Sequence, residues 1–113
     1  MTPDGFKRLA LSLPDTAEGS HFGNVDFRVG GKIFATLAHV KDGYCNLMLT
    51  REQQDGLVAD APDVFLQIPN GWGKAGATHV RLAKVNKEML LGVLKMAWRN
   101  RAPKKVMAAN PEL

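Results

Sequence analysis

Apolar and polar positions alternate along this chain in two different periods. Thr2 can cap a helix and Pro3 suits its first turn; Phe6, Leu9, Ala10 and Leu13 then recur at three- and four-residue spacing, until Pro14 ends the run. From His21 to Val29 the period becomes two, with Val25, Phe27 and Val29 on one side and Asp26 and Arg28 on the other. Gly30-Gly31 is a two-residue hairpin signal, because both glycines accept positive φ. Lys32 to Val40 reads as the returning strand, Lys41-Asp42-Gly43 as a second turn, and Tyr44 to Leu49 as a third strand. Thr50 and Gln53 match a capping box, which predicts a helix running to about Asp60 with Leu57 and Val58 facing inward. Phe65 to Ile68 reads as a short fourth strand, Asn70 to Gly76 as a glycine-rich loop around Trp72, and Ala77 to Ala83 as a fifth strand. Asn86 can cap a last helix whose stripe is Leu90, Val93, Leu94, Ala97 and Trp98. It ends before Pro103 and leaves a short, frayed basic tail from about residue 104.

The order is therefore α-β-β-β-α-β-β-α. Strands joined by tight turns are antiparallel. The expected fold is α+β, a two-layer sandwich in which helices cover one face of a five-stranded, mainly antiparallel sheet. At 113 residues, with no repeat or long linker, the chain reads as a single domain over 1–113. Hydrophobic residues make up 45% and charged residues 23%, which argues against wholesale disorder. A single cysteine, Cys45, excludes an internal disulfide and a multi-cysteine zinc site. Met1 to Leu13 lacks the uninterrupted apolar core of a signal peptide, and no stretch approaches the roughly 18 apolar residues of a membrane span. The expectation is a cytoplasmic protein without a membrane partner.

Charge divides the chain unequally. Residues 1–71 carry six Lys and Arg against nine Asp and Glu; residues 72–113 carry nine against two. A basic end of this kind attracts phosphates or acidic proteins.

The runs His21-Phe22-Gly23, Asp26-Phe27-Arg28-Val29 and Gly31-Lys32-Ile33-Phe34-Ala35-Thr36-Leu37 resemble the MmcQ/YjbR family. So do Gln53-Gln54, Gly71-Trp72-Gly73-Lys74, Ala97-Trp98-Arg99 and Ala102-Pro103-Lys104, in that order, over about residues 4–105. Ala77 departs from the pattern, standing where many members carry a bulky aromatic. The resemblance implies a small α+β fold likened to frataxin and to secretion chaperones. It also implies a "double wing" arrangement proposed to bind DNA, and no known catalytic activity. The frataxin likeness would place iron-binding carboxylates on the first helix; that helix keeps only Asp4, beside Lys7 and Arg8, with Asp15 and Glu18 beyond its end.

Phosphate binding needs several cations on one exposed surface. Lys95 and Arg99 lie one helical turn apart, and Arg101, Lys104 and Lys105 extend the charge past the helix end. The same cations also complement the helix dipole. Lys32 flanks the glycine hairpin, Lys74 sits in the glycine-rich loop, and Arg81 lies on the fifth strand. These eight residues form the candidate DNA-binding set.

The sheet face away from the helices offers an alternative. If Val25, Phe27, Ile33, Ala35, Leu37, Leu47 and Leu49 face the helices, the other face shows Arg28, Phe34, Tyr44, Asn46, His79 and Arg81, with Thr36 and Met48. With Trp72 on its loop, that mixture suits a small anionic ligand, a protein partner or a homodimer contact. His21, His39 and His79 lack paired ligand spacing, so no metal is expected. No phosphate loop, nucleophile elbow or dinucleotide fingerprint occurs, and Cys45 sits in an apolar strand, so neither catalysis nor a cofactor is expected. The leading expectation is DNA binding through basic hairpins and the C-terminal helix. A non-catalytic ligand or interaction module is the alternative.

Overall fold

In the computed structural model, which describes residues 1–113, the capping signals act as the sequence predicts. Thr2 Oγ1 accepts from Gly5 N at 2.9 Å and starts α1 (Pro3–Leu11). Thr50 and Gln53 form both halves of the capping box that starts α2 (Arg51–Asp60). Asn86 Oδ1 accepts from Met89 N at 2.8 Å and starts α4 (Lys87–Arg101). Gly30 and Gly31, both at positive φ, turn β2 (Asn24–Val29) into β3 (Lys32–Thr36). A single 3₁₀ turn (Val40–Asp42) leads into β4 (Tyr44–Met48).

Three elements lie outside the sequence expectation. Thr16–His21 is a strand, β1, pairing antiparallel with β2 through a tight turn at Phe22-Gly23. Gly71–Lys74, expected as loop, is one helical turn, α3. Lys104–Ala109, expected as a frayed tail, is a helix, α5, whose Val106 and Met107 pack against the core. With β5 (Phe65–Gln67) and β6 (Ala77–Arg81) the sheet has six strands, one more than expected, in the order β1-β2-β3-β4-β6-β5, every pair antiparallel. The α+β architecture stands.

The layer between sheet and helices holds one cluster of 21 buried apolar residues. Trp98, Leu94, Leu90 and Ala97 of α4 meet Phe27, Ala35 and Leu47 of the sheet there, and Phe6 of α1 packs edge-on to Phe27 at 5.5 Å. No helix is long and apolar enough to cross a membrane.

One irregularity reassigns two side chains. Phe27 pairs with Ala35, but Arg28 pairs with Ile33, so Phe34 is an extra residue in β3. Such a bulge puts neighbouring residues on one side of the strand. Phe34, expected on the helix-free face, is fully buried in the core beside Ala35. Ile33, expected in the core, lines a cleft on the opposite face.

Candidate nucleic-acid interface

The register places one row of side chains straight across the helix-free face: Asp26 beside Thr36, Thr36 beside Asn46, and Asn46 beside His79. This face was expected to expose its polar groups; instead all four residues are buried. Buried polar groups need partners, and these have them. Asp26 receives Arg28 Nε at 2.9 Å and Arg28 Nη2 at 3.1 Å, a bidentate pair, and Arg28 Nη2 also donates to Ser20 O at 3.2 Å. Asn46 Nδ2 donates to Thr36 Oγ1 at 3.0 Å and to His39 Nδ1 at 2.8 Å. His79 Nδ1 lies 2.7 Å from Asn46 Oδ1.

Those contacts set both tautomers. An amide nitrogen only donates, so His39 Nδ1 is unprotonated; an amide oxygen only accepts, so His79 Nδ1 carries the hydrogen. Tyr44 stacks on His79 at 4.1 Å, His39 meets it edge-on at 4.8 Å, and Arg81 Nη1 donates to the Tyr44 hydroxyl at 3.4 Å. Burial lowers the His79 pKa to about 4, and the neighbouring His39 and Arg81 push the same way against Asp42. The unfolded chain takes up this proton near pH 6.5, the folded chain only near pH 4, so between the two the unfolded state binds more protons. Stability from this group is complete above pH 6.5 and is lost as pH falls toward 4. His79→Gln is expected to flatten the fall in unfolding free energy over that window, read by urea denaturation at its two ends; a slope identical to wild type would overturn the assignment. His79 therefore sits in a structural network, as does Asn46. Cys45 lies on the other face, fully buried, and burial pushes its thiol pKa up, so it is not available as a nucleophile. No three His, Cys, Asp or Glu side chains converge as metal ligands. Glu18, weighed above for iron, is paired to Lys7 at 2.7 Å.

Beside this row a cleft of about 450 Å³ runs along the helix-free face. Asp26, Ile33, Thr36 and Met48 line it, with His21 toward the β1–β2 turn and Trp72 and Arg101 toward the opposite end. Trp72 is 42% exposed. Its position comes from α3, where Asn70 Oδ1 accepts from Trp72 N at 2.8 Å and Gly73 N at 3.4 Å, and Asn70 O accepts from Lys74 N at 3.2 Å. These amides are engaged, so the loop offers no amide cradle for a phosphate beside Lys74. Its glycines serve close packing: a Cβ on Gly73 would overlap the Ile68 carbonyl, and one on Gly76, at φ +120°, the Leu49 carbonyl. Gln54, part of the Gln53-Gln54 run but given no role by the sequence, ties α2 to this loop by donating to Gly73 O and Ala77 O at 3.0 and 2.9 Å.

Of the eight candidate cations, the fold brings one subset together. Gly30 abuts Pro103, so the β2–β3 turn and the α4–α5 junction meet. Arg51 Nη1 donates to Lys74 O at 3.3 Å, and Arg101 lines the cleft with Trp72. Lys32, Lys74, Arg101, Lys104 and Lys105 thus gather at one end of the sheet, all exposed. None belongs to the three ion pairs of the structure, which are Lys7–Glu18, Arg28–Asp26 and Arg51–Asp55. Arg81 is at the far end of the helix-free face, paired across from Tyr44. Lys95 is half-buried along α4, and Arg99 Nη1 donates to the Leu113 main-chain oxygen at 2.7 Å. Arg28 is taken by Asp26. Sequence reasoning met His39 only as a histidine without ligand spacing and Phe22 only within the His21-Phe22-Gly23 run, and gave neither a place in the site. No motif marks His39, whereas the glycine after Phe22 was a usable turn signal.

The YjbR family profile matches residues 11–100. No curated protein matches the chain. Among solved structures, the crystal structure of Deinococcus radiodurans protein DR2400, described as a DUF419 domain, shares the fold with a TM-score of 0.74 at 18% identity, covering 96% of this chain and 86% of that one. The profile spans well over half of the 113 residues, in keeping with the ordered motifs from His21 to Arg99, and the chain belongs to the YjbR family.

Proposed function

We propose that this protein binds DNA without catalysing a reaction on it, through phosphate contacts at the basic end of the sheet. The observation that carries the reading is the convergence of Lys32, Lys74, Arg101, Lys104 and Lys105 on one exposed end with no carboxylate paired to any of them. Unpaired surface cations at close quarters bind a polyanion by releasing its counterions, and each phosphate contact steepens the salt dependence. The β2–β3 turn and the start of α5 act as two neighbouring projections that set the domain on the backbone.

Fluorescence anisotropy of labelled duplex DNA tests this. Binding is expected at low salt and fades as salt rises, with a log–log slope of about −3 to −4 if four phosphates are contacted. Arg101→Glu/Lys104→Glu is expected to weaken binding at least about tenfold. Lys95→Glu/Arg99→Glu, away from the cluster, is expected to change it little. Point changes are the proper test, because deleting α5 would also remove Val106 and Met107 from the core. Absence of binding at low salt, or equal losses in the two double variants, would refute the reading.

A further inference from the structure

We infer that the nucleic acid held here is a single strand, with unpaired bases stacked on the aromatic rings that border the cleft. The inference rests on the DNA-binding reading and narrows its substrate. Four large apolar side chains are exposed: Leu11, Phe22, Trp72 and Met89. Of the two aromatic ones, Trp72 lies on the cleft and Phe22 next to a residue that lines it. Phe22, 92% exposed, adjoins His21, the two ring centroids 4.4 Å apart with their planes tilted by 58°, and His21 lines the other end.

Phe22 also sits at φ +50°, a left-handed conformation that side-chain-bearing residues disfavour. A large ring carried on such a backbone and turned almost wholly to water, with the tilted His21 ring beside it, is not explained by burial in the core. Two rings along a groove, with cations at its rim, are the arrangement that binds single strands, because every base has a face to stack and the backbone follows the charge. The cleft volume, about 450 Å³, lies in the range that holds a small planar ligand. The cations gather at the Trp72 end, where Arg101 enters the cleft. The Asp26 carboxylate on the cleft wall has its charge matched by Arg28, so it does not repel a phosphodiester strand. A duplex keeps its bases stacked on each other and reaches the basic end alone.

The test compares one mixed-sequence fluorescein-labelled oligonucleotide with the duplex formed from it, using anisotropy and intrinsic tryptophan emission. Trp98 is fully buried, so a change on binding reports Trp72. The strand is expected to bind about tenfold more tightly than the duplex and to quench Trp72 emission. Trp72→Ala is expected to abolish that preference and leave duplex binding unchanged, while Trp72→Phe restores most of it. Phe22→Gly, which also relieves the backbone, is expected to weaken strand binding several-fold. Equal binding of strand and duplex, or a preference that survives Trp72→Ala, overturns the stacking inference while phosphate-led DNA binding stands. Failure of both ligands to bind at low salt removes the DNA reading and this inference together.

Discussion

Trp98→Ala is expected to lower the unfolding free energy by about 4 kcal/mol, enough to leave a domain of ordinary stability only marginally folded. Trp98 is fully buried where α4 crosses the sheet, and it is the largest of the buried side chains. Its indole Nε1 donates to Pro14 O at 2.9 Å, across 84 residues of chain. Truncation therefore opens a cavity between helix and sheet and leaves a carbonyl without its partner. Trp98→Phe separates the two, since it keeps most of the packed volume and loses only the donor; about 1–2 kcal/mol is expected. Urea unfolding followed by circular dichroism measures both variants. A loss below about 1 kcal/mol for Trp98→Ala would mean that α4 is not the keystone of the core.

Asn46→Ala is expected to cost about 3 kcal/mol, although it removes no apolar contact of any size. The amide is wholly buried and serves Thr36, His39 and His79 at once. Thr36 keeps a second partner in Ala38 N, but the His39 and His79 ring nitrogens lose theirs. Each unpaired buried polar group costs about 1–3 kcal/mol. The variant is also expected to free the two rings from their set tautomers, which two-dimensional NMR of the imidazole nitrogens would show. Unchanged stability together with unchanged tautomers would sink the proposal that Asn46 organises this face.

The parts of the fold legible in the sequence are those written in local chemistry. Thr50 with Gln53, Asn86 and the Gly30-Gly31 pair each use their own side chains or backbone freedom, so no tertiary knowledge is needed to read them. β1 escaped because Thr-Ala-Glu-Gly-Ser-His holds no large apolar side chain: an edge strand with few buried positions has no two-residue hydrophobic period. The bulge at Phe34 escaped for a different reason. Strict alternation cannot show where a strand gains a residue, and the slip exchanged Phe34 and Ile33 between the two faces. α5 escaped because Lys104 and Lys105 hide the two apolar residues that dock it. For the candidate site, composition showed the basic end, but only the meeting of Gly30 with Pro103 decides which cations share it.

The strand order carries a consequence for how the chain reaches its native state. β1 to β4 follow one another in space as in sequence, so their pairing closes short loops and is entropically cheap. β6 enters between β4 and β5, and β5 pairs with no other strand. Phe65–Gln67 thus has no ladder to join until Ala77–Arg81 has docked on β4. In a chain emerging from the ribosome, all four strands of the meander exist and can pair with one another before Gly71-Trp72-Gly73-Lys74 is made, whereas the edge beyond β4 stays open until residue 81 is free. The interval between those two moments is when the exposed edge of β4 is most open to pairing with another chain.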